Sequence, residues 1–182
     1  LGVVRLEMAK GTLKPDQAAA QLEALKWRWR GDGVELAVIR SLGELYLSQG
    51  RYREALTTLK AAGRKIVVLP GGDKLQADLD NAFRALFLDG AADGLQPVQA
   101  LALFFDFREL TPVGADGDEM VRRLARRLID VDLLDQAAEL LKYQADNRLD
   151  GVAKAQVSTN LAMVYLMNRQ PEEALQALWS SR

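Results

Sequence analysis

The sequence contains neither cysteine nor histidine among its 182 residues. It therefore cannot build a Ser-His-Asp or Cys-His nucleophilic system, use imidazole as an acid or base near neutral pH, or bind a metal through thiolate or imidazole. It also has no disulfide framework, so cysteine usage does not distinguish a reducing cytosol from an oxidising envelope. These absences leave catalysis with few chemical options.

Long apolar runs are also missing. The apolar runs that do occur, such as residues 66–69 and 101–105, fall well short of the roughly 18 residues that a membrane-spanning helix needs. With 27% charged residues and a net charge of −1, the composition is typical of a soluble, folded segment. Because the chain starts at Leu1 rather than at methionine, we expect it to be part of a longer, bacterial multi-repeat protein. Both the cytoplasm and the periplasm are compatible with it.

A repeat runs through the sequence. Five alanines mark it, at intervals of 37 residues except for one interval of 45: Ala18, Ala55, Ala100, Ala137 and Ala174. Four residues after each alanine stands a large apolar residue: Leu22, Leu59, Phe104, Leu141 and Leu178. Before the last four alanines, large and small positions also recur in register, as in Leu42-Gly43 and Leu161-Ala162. A fixed period of this kind indicates a repeat architecture.

Apolar residues within each unit are three and four positions apart, which is helical spacing. This spacing predicts ten helices in five antiparallel pairs, near residues 2–10, 15–29, 34–48, 52–64, 74–91, 96–109, 118–131, 134–147, 152–168 and 171–180. The whole chain is then one domain with units 1–30, 34–64, 74–109, 118–147 and 152–182, an inserted loop 65–73 and a connector 111–117. Pro15, Pro97 and Pro171 should lie in first helical turns, and Asp116 or Asp118 should cap the helix after the connector.

The second unit resembles the tetratricopeptide repeat (TPR). The resemblance rests on Leu42-Gly43, Tyr46, Gly50, Tyr52, Ala55 and Leu59. The last unit is similar through Leu161-Ala162, Tyr165 and Ala174, although Arg169 replaces the turn glycine. The resemblance implies an all-α, right-handed solenoid with about five helix pairs, in which the first helices line a concave groove. It also implies a non-enzymatic scaffold that binds a partner peptide or helix in that groove, with no catalytic residue, cofactor or metal.

The repeat register places a set of side chains on the faces that would line this groove. They are Arg40, Glu44, Leu47, Glu119, Arg122, Arg126, Gln156, Thr159 and Met163. Arg122 and Arg126 could grip a carboxylate or a phosphate on one helix face, while Arg123 and Arg127 turn toward the flank. Alternatively, these arginines pair with Asp130, Asp132 or acidic residues of the neighbouring unit.

Charge is unevenly distributed, with residues 71–120 holding 3 basic and 10 acidic residues. This acidic band could attract a basic partner, or it could be a solvated surface that offsets the basic ends. The cluster Lys26-Trp27-Arg28-Trp29-Arg30 could stack on bases, but a structural role is favoured, so we expect no nucleic-acid partner. The insert from Ile66 to Asp73 could pair with a partner strand or pack against its neighbours.

Two alternatives to the scaffold remain open from the sequence. The segment could position or regulate a larger enzyme or envelope complex, or it could be a structural spacer without a specific groove ligand. Within the segment we expect no membrane contact. Exposed repeat ends could also pair two copies of the chain, because terminal repeats normally carry a polar cap.

Overall fold

The structure is a computed structural model that describes residues 1–28, 33–66 and 71–181, without the side chains of residues 27, 28 and 63–66. These ranges contain helices and no strand. The α-helices are α1 (Gly2–Ala9), α2 (Pro15–Arg28), α3 (Gly33–Ser48), α4 (Tyr52–Ile66), α5 (Gly72–Phe87), α6 (Pro97–Asp106), α7 (Ala115–Asp130), α8 (Leu134–Asn147), α9 (Gly151–Met167) and α10 (Pro171–Trp179). Short 3-10 helices follow α5 and α6, at Ala91–Gly94 and Arg108–Leu110.

The all-α class is confirmed, and each helix of the described ranges lies close to its predicted position. Pro15, Pro97 and Pro171 are each the first residue of a helix, where the missing N–H leaves no hydrogen bond unmade. Two predicted helix ends were wrong. α6 stops at Asp106 rather than near residue 109, and α5 stops at Phe87 rather than near residue 91. Helix α5 stops there because Gly90 adopts a φ of 92° and starts the first 3-10 helix.

Four of the turns between paired helices have the same backbone geometry. Each contains one residue in the left-handed region: Gly11 (φ 69°), Gly50 (71°), Asp132 (62°) and Arg169 (58°). That residue donates its N–H three positions back, and the next residue donates five positions back, as in Arg51 N to Tyr46 O at 2.9 Å and Gln170 N to Tyr165 O at 2.8 Å. This is the Schellman arrangement, which satisfies the last carbonyls of a helix. Asp132 and Arg169 keep it without glycine.

Burial follows the repeat register. The five marker alanines are at most 3% exposed, and of the large residues four positions later, Leu22, Leu59, Phe104 and Leu141 are buried as well. Gly43 lets two helices approach closely, since a Cβ there would lie 2.7 Å from Leu59 Cδ2. Leu178, the equivalent residue of the last unit, departs from this pattern, because its side chain is 41% exposed on α10.

The chain divides into two compact units, Leu1–Ala82 and Phe83–Arg182, and the boundary falls within α5. In the first unit, α1, α2, α3 and α4 pack in sequence order around a core that includes Leu22, Leu42 and Tyr46. In the second unit, α6 to α10 pack in the same way, and Phe83 and Phe87 stack against Phe104 at ring distances of 5.7 and 5.4 Å. That the whole chain is one domain stays a prediction.

The predicted connector is shorter than expected, because α7 begins at Ala115 rather than near residue 118. The prediction that Asp116 or Asp118 caps this helix was wrong. Gly114 occupies the cap position without a side-chain hydrogen bond, while Asp116 pairs with Arg84 at 2.7 Å. Gly117, in the first turn of α7, is buried against the Pro112 carbonyl, where the Cβ of a larger residue would clash.

Two predicted features lie wholly or largely outside the described residues. For the tryptophan-arginine cluster, only the backbone as far as residue 28 and the side chain of Lys26 are described. The insert is described at both ends, where Ile66 ends α4 and Asp73 lies in α5, so the predicted loop 65–73 is helical at its margins. Among the described helices, none is both long and apolar enough to cross a membrane.

Candidate functional site

A groove lies in the second unit between the first helices of its last two helix pairs. We call it the α7–α9 groove, and its accessible volume is about 250 Å³. Its lining is Arg122, Ala125, Arg126 and Ile129 of α7, Leu141 of α8, and Asn160, Met163, Val164 and Met167 of α9. Three predicted site residues, Arg122, Arg126 and Met163, therefore line one surface.

Most of the groove surface is apolar. Leu141 and Val164 are buried at its base, whereas Met163 is 58% and Met167 57% exposed. Next to these methionines, Leu166 is 59% exposed on the same helix. Methionine side chains are flexible and polarisable, so they adapt to differently shaped apolar partners. An exposed apolar surface bordered by cations is typical of an interaction site.

One rim of the groove carries a small charge network. Glu119 pairs with Arg122 three residues along α7, and it accepts a hydrogen bond of 2.7 Å from Arg123 Nε. The hydrogen bond from Arg123 lowers the pKa of Glu119; burial opposes this shift, and Arg122 adds to it. Glu119 therefore stays ionised and neutralises part of the rim charge, so it is a partner of the arginines rather than a separate ligand contact.

Arg126 differs from its neighbours on α7. Its side chain is exposed, and among the described residues it has no ion pair or side-chain hydrogen bond. A guanidinium offers five N–H donors and matches the geometry of a carboxylate. Arg126 is thus the groove cation that is available to a ligand.

The first unit contains an equivalent pocket between α1 and α3, with a volume of about 290 Å³. When the two units are aligned on their turn residues and marker alanines, each of the eight residues that line this pocket corresponds to a residue of the α7–α9 groove, and Arg122 is the groove residue without a counterpart. The pairs are Val4 with Ala125, Arg5 with Arg126, Met8 with Ile129, Leu22 with Leu141, Ser41 with Asn160, Glu44 with Met163, Leu45 with Val164, and Ser48 with Met167. We call it the α1–α3 pocket.

This equivalence places Glu44, another predicted site residue, at the position of Met163. Glu44 is exposed and lines the α1–α3 pocket together with Arg5. The two pockets share an arginine and the buried leucine at the base, but the first unit has a carboxylate where the second has a methionine. The pockets thus have the same construction but differ in charge at this position.

Five predicted site residues line neither pocket: Glu119, described above, and Arg40, Leu47, Gln156 and Thr159. Arg40 is half-buried and makes a bidentate contact with Asp78 of α5, including Nη2 to Oδ1 at 3.1 Å. The hydrogen bond to Asp78 raises the pKa of Arg40 further, so its charge is committed within the first unit. Leu47 packs against the core of that unit. On α9, Gln156 and Thr159 are exposed, and the Thr159 hydroxyl donates to Ala155 O at 2.9 Å.

The flanking arginines of α7 bind backbone carbonyls of the preceding segment. Arg123 Nη1 donates to Leu88 O at 2.5 Å, and Arg127 donates to Ala92 O at 3.0 Å and to Leu95 O at 2.6 Å. Arg127 also lies 3.8 Å from the Asp93 carboxylate, in the predicted acidic band. Of the alternatives left open by the sequence, the neighbouring acidic segment rather than Asp130 or Asp132 provides the observed partner.

Sequence reasoning missed Asn160 as a groove residue. Asn160 lies four positions before Val164 and three before Met163, so helical spacing alone could have placed it beside them. Met167, which is not among the site residues named from the sequence, is 57% exposed and also lines the groove. Among the described residues, no group of three acidic side chains converges as a metal site would require.

Comparison of the chain with protein-family models gave no match. Comparison with curated protein sequences also gave none.

Proposed function

We propose that this chain is a non-enzymatic interaction segment that binds a partner peptide in the α7–α9 groove. The bound peptide presents a carboxylate to Arg126 and large apolar side chains to Met163 and Met167. The single observation that carries the proposal is this pairing, on one surface, of an arginine without a partner among the described residues and two exposed methionines. The chain then acts as a scaffold.

The size and composition of the groove support a peptide rather than a small metabolite. About 250 Å³ of accessible space is lined by apolar atoms and has few fixed polar groups. Small-molecule sites are larger or more enclosed, with several polar groups placed to orient the ligand. Amphipathic segments bind such grooves through apolar anchors spaced three and four residues apart.

Charge complementarity selects an acidic peptide over a basic one. A basic residue would approach both Arg122 and Arg126, which lie one helical turn apart on the same rim. Glu119 offsets only one of the two charges, through its pairing with Arg122. A carboxylate, in contrast, gains charge-assisted hydrogen bonds from Arg126 without displacing an existing partner.

We further propose that the helix pairs stack as a right-handed, TPR-like solenoid. Three observations support this proposal: the 37-residue register of buried alanines, the recurrent Schellman turns, and the position-by-position equivalence of the two pockets. Stacked helix pairs present the first helix of each pair along a common face. The two pockets would then be two sites of one series, with different preferences.

The proposal can be tested by selecting binders from a random dodecapeptide library displayed on phage. We expect enriched peptides that place Asp or Glu beside Leu, Ile, Met or Phe. Their affinity, measured by fluorescence anisotropy, should fall by roughly tenfold or more for Arg126→Gln, because a charge-assisted hydrogen bond is lost. Replacing the Asp or Glu of the peptide with its uncharged amide should reduce the affinity in the same way.

Lys154→Gln is the matched control, because Lys154 is a cation on α9 that lies outside the groove. It removes the same charge and should leave affinity unchanged, while circular dichroism checks that each variant is helical. Selection of peptides without acidic residues would contradict the proposal. Equal losses of affinity for Arg126→Gln and Lys154→Gln would also contradict it, since they would reflect net charge only.

A further inference from the structure

A second pocket in the same unit lies between α8, α9 and α10. We call it the α8–α10 pocket; its accessible volume is about 330 Å³, and it shares no lining residue with the α7–α9 groove. Volumes of this size are within the range of small-ligand sites. Its buried surface is formed partly by Leu161 and Ala177, at 4% and 7% exposure, which provide an apolar contact for an alkyl chain.

One buried polar atom in this pocket has no partner. Ser158 is 1% exposed and lines the pocket, yet its hydroxyl oxygen makes no hydrogen bond within the described part of the chain. Buried hydroxyl groups are nearly always hydrogen-bonded, and the exceptions need an explanation. The Ser158 hydroxyl therefore offers an acceptor to a ligand that enters the pocket.

Two carboxylates also line the pocket. Asp146 comes from the end of α8 and Glu173 from the first turn of α10, and within the described ranges neither makes an ion pair or a side-chain hydrogen bond. Both carboxylates act on the phenol of Tyr165, which lines the same pocket: burial raises its pKa most, and Glu173 and then Asp146 raise it further. Lys142 is the cation of this lining, and it is not within ion-pair distance of either carboxylate.

The lining thus offers acceptors from several directions and an excess of negative charge. A cation that carries several N–H donors in one plane uses such a site best, and guanidinium has five donors in a fixed geometry. An ammonium group has three donors and is more strongly hydrated, so it gains less from the dispersed acceptors. The apolar contact formed by Leu161 and Ala177 suits the alkyl stem of the same ligand.

We propose that the α8–α10 pocket binds an alkylguanidinium, with its guanidinium group between Asp146 and Glu173 and one N–H donated to Ser158 Oγ. The ligand is either a free small molecule or an arginine side chain of a partner protein. This site is independent of the groove, so either proposal can fail without the other.

Titration of the ¹⁵N-labelled chain by NMR tests the proposal. The probes are butylguanidinium, its neutral isostere butylurea, and the peptide acetyl-Gly-Arg-Gly-amide. We expect butylguanidinium to cause saturable shifts of the amides around Ser158, Tyr165 and Ala177, and butylurea to cause none. If the peptide binds more tightly than butylguanidinium, the natural source is an arginine side chain; the reverse order indicates a free small molecule.

The double variant Asp146→Asn with Glu173→Gln should weaken butylguanidinium binding by roughly tenfold per carboxylate. Its matched control is Glu139→Gln with Glu172→Gln, which makes the same charge change on exposed positions of α8 and α10 outside the pocket. Equal affinity for the two double variants would overturn the proposal. So would saturable binding of butylurea, or the absence of saturation with both guanidinium probes.

A third variant, Ser158→Ala, distinguishes a role of this hydroxyl in ligand binding from a role in the stability of the fold. Because the hydroxyl has no partner among the described residues, its removal should leave the urea midpoint unchanged or raised while weakening butylguanidinium binding. A lower midpoint with unchanged binding would show that Ser158 has only a structural role, and would remove the hydroxyl from the proposed site.

Discussion

Arg5 donates a hydrogen bond from Nη2 to Ser41 Oγ at 2.6 Å, within the α1–α3 pocket. The equivalent pair in the α7–α9 groove is Arg126 and Asn160, and no hydrogen bond joins them. The same helical position therefore holds an engaged arginine in one unit and an available one in the other. This difference leads us to assign peptide binding to the second unit.

Replacing Met163 with glutamate should give the α7–α9 groove the carboxylate that the α1–α3 pocket has at the equivalent position. Glu44 occupies this position in the α1–α3 pocket, and Met163 is 58% exposed, so Met163→Glu should leave the urea midpoint almost unchanged. A carboxylate beside Arg126 should repel acidic peptides and reduce their affinity by roughly tenfold. Fluorescence anisotropy with a selected peptide measures this, and Leu175→Glu on α10 is a control at a comparably exposed position.

Glycine should stabilise the two turns that lack it. Asp132 and Arg169 have φ values of 62° and 58°, a region that costs ordinary residues about 1–2 kcal/mol. Glycine removes this strain but loses more backbone entropy on folding, so Asp132→Gly and Arg169→Gly should each raise the free energy of unfolding by about 0.5–1 kcal/mol. Urea unfolding measures the change. A loss of stability at both sites would mean that these side chains contribute more than their backbone strain costs.

Replacing Arg127 should lower the free energy of unfolding more than replacing any of the α7 arginines at the groove rim. It is 23% exposed and donates to the Ala92 and Leu95 carbonyls, so Arg127→Ala leaves these carbonyls without their donor and should cost about 2 kcal/mol. Arg127→Lys should not restore the loss, because one ammonium group cannot reach the carbonyls as the planar guanidinium does. Arg122→Ala, at a 64% exposed position, should change stability little. Chemical unfolding of the three variants tests this order.

Stability should fall in acid partly through Glu119. Its pKa is lowered from the ordinary value of 4.5, chiefly by the hydrogen bond from Arg123, so the folded chain binds this proton less readily than the unfolded chain. The stabilisation is therefore complete above the ordinary pKa and is lost as the pH falls through the lower, folded-state pKa. Urea midpoints between about pH 6 and pH 3 should decline less steeply for Glu119→Gln than for the original chain. Glu139→Gln, at an exposed position on α8, should not alter the slope.

Close packing between α3 and α4 should show as a coupling between Gly43 and Leu59. Gly43→Ala would bring a methyl group within 2.7 Å of Leu59 Cδ2, so we expect a loss of about 1–3 kcal/mol from overpacking, reduced by the better helix propensity of alanine. In a Leu59→Ala background the clash disappears, and the same change should stabilise the chain. A double-mutant cycle from urea unfolding measures this reversal.

Helix positions were predictable from the sequence because buried residues recur at three- and four-residue steps. Of the residues that the register assigned to α7 and α9, Arg122, Arg126 and Met163 line the α7–α9 groove, whereas Glu119, Gln156 and Thr159 do not. Arg40 was harder to place, since its partner Asp78 is 38 residues away and no local pattern links the two. Arg127 was hard to place for the same reason, since the Ala92 and Leu95 carbonyls that it binds are also far from it in the sequence. Helical periodicity predicts which way a side chain points, but not the partner that it meets there.

The α8–α10 pocket could not be predicted from periodicity either. Asp146, Ser158 and Glu173 come from three helices, and none belongs to a spacing motif. Ser158 is 1% exposed, as its spacing of three and four residues from the buried Leu161 and Ala162 would predict, but its polar side chain gives no sign in the sequence of a pocket there.

The turns described above form their hydrogen bonds entirely through main-chain atoms. Any residue that tolerates a positive φ can therefore occupy the central position, and glycine, aspartate and arginine all do so here. Main-chain hydrogen bonds thus determine the geometry of the turn in a helix pair, while the side chains at the turn are free to change. Repeats of this kind can diverge beyond recognition in sequence and still fold to the same unit, which leaves the pocket positions open to acquire new specificities one unit at a time.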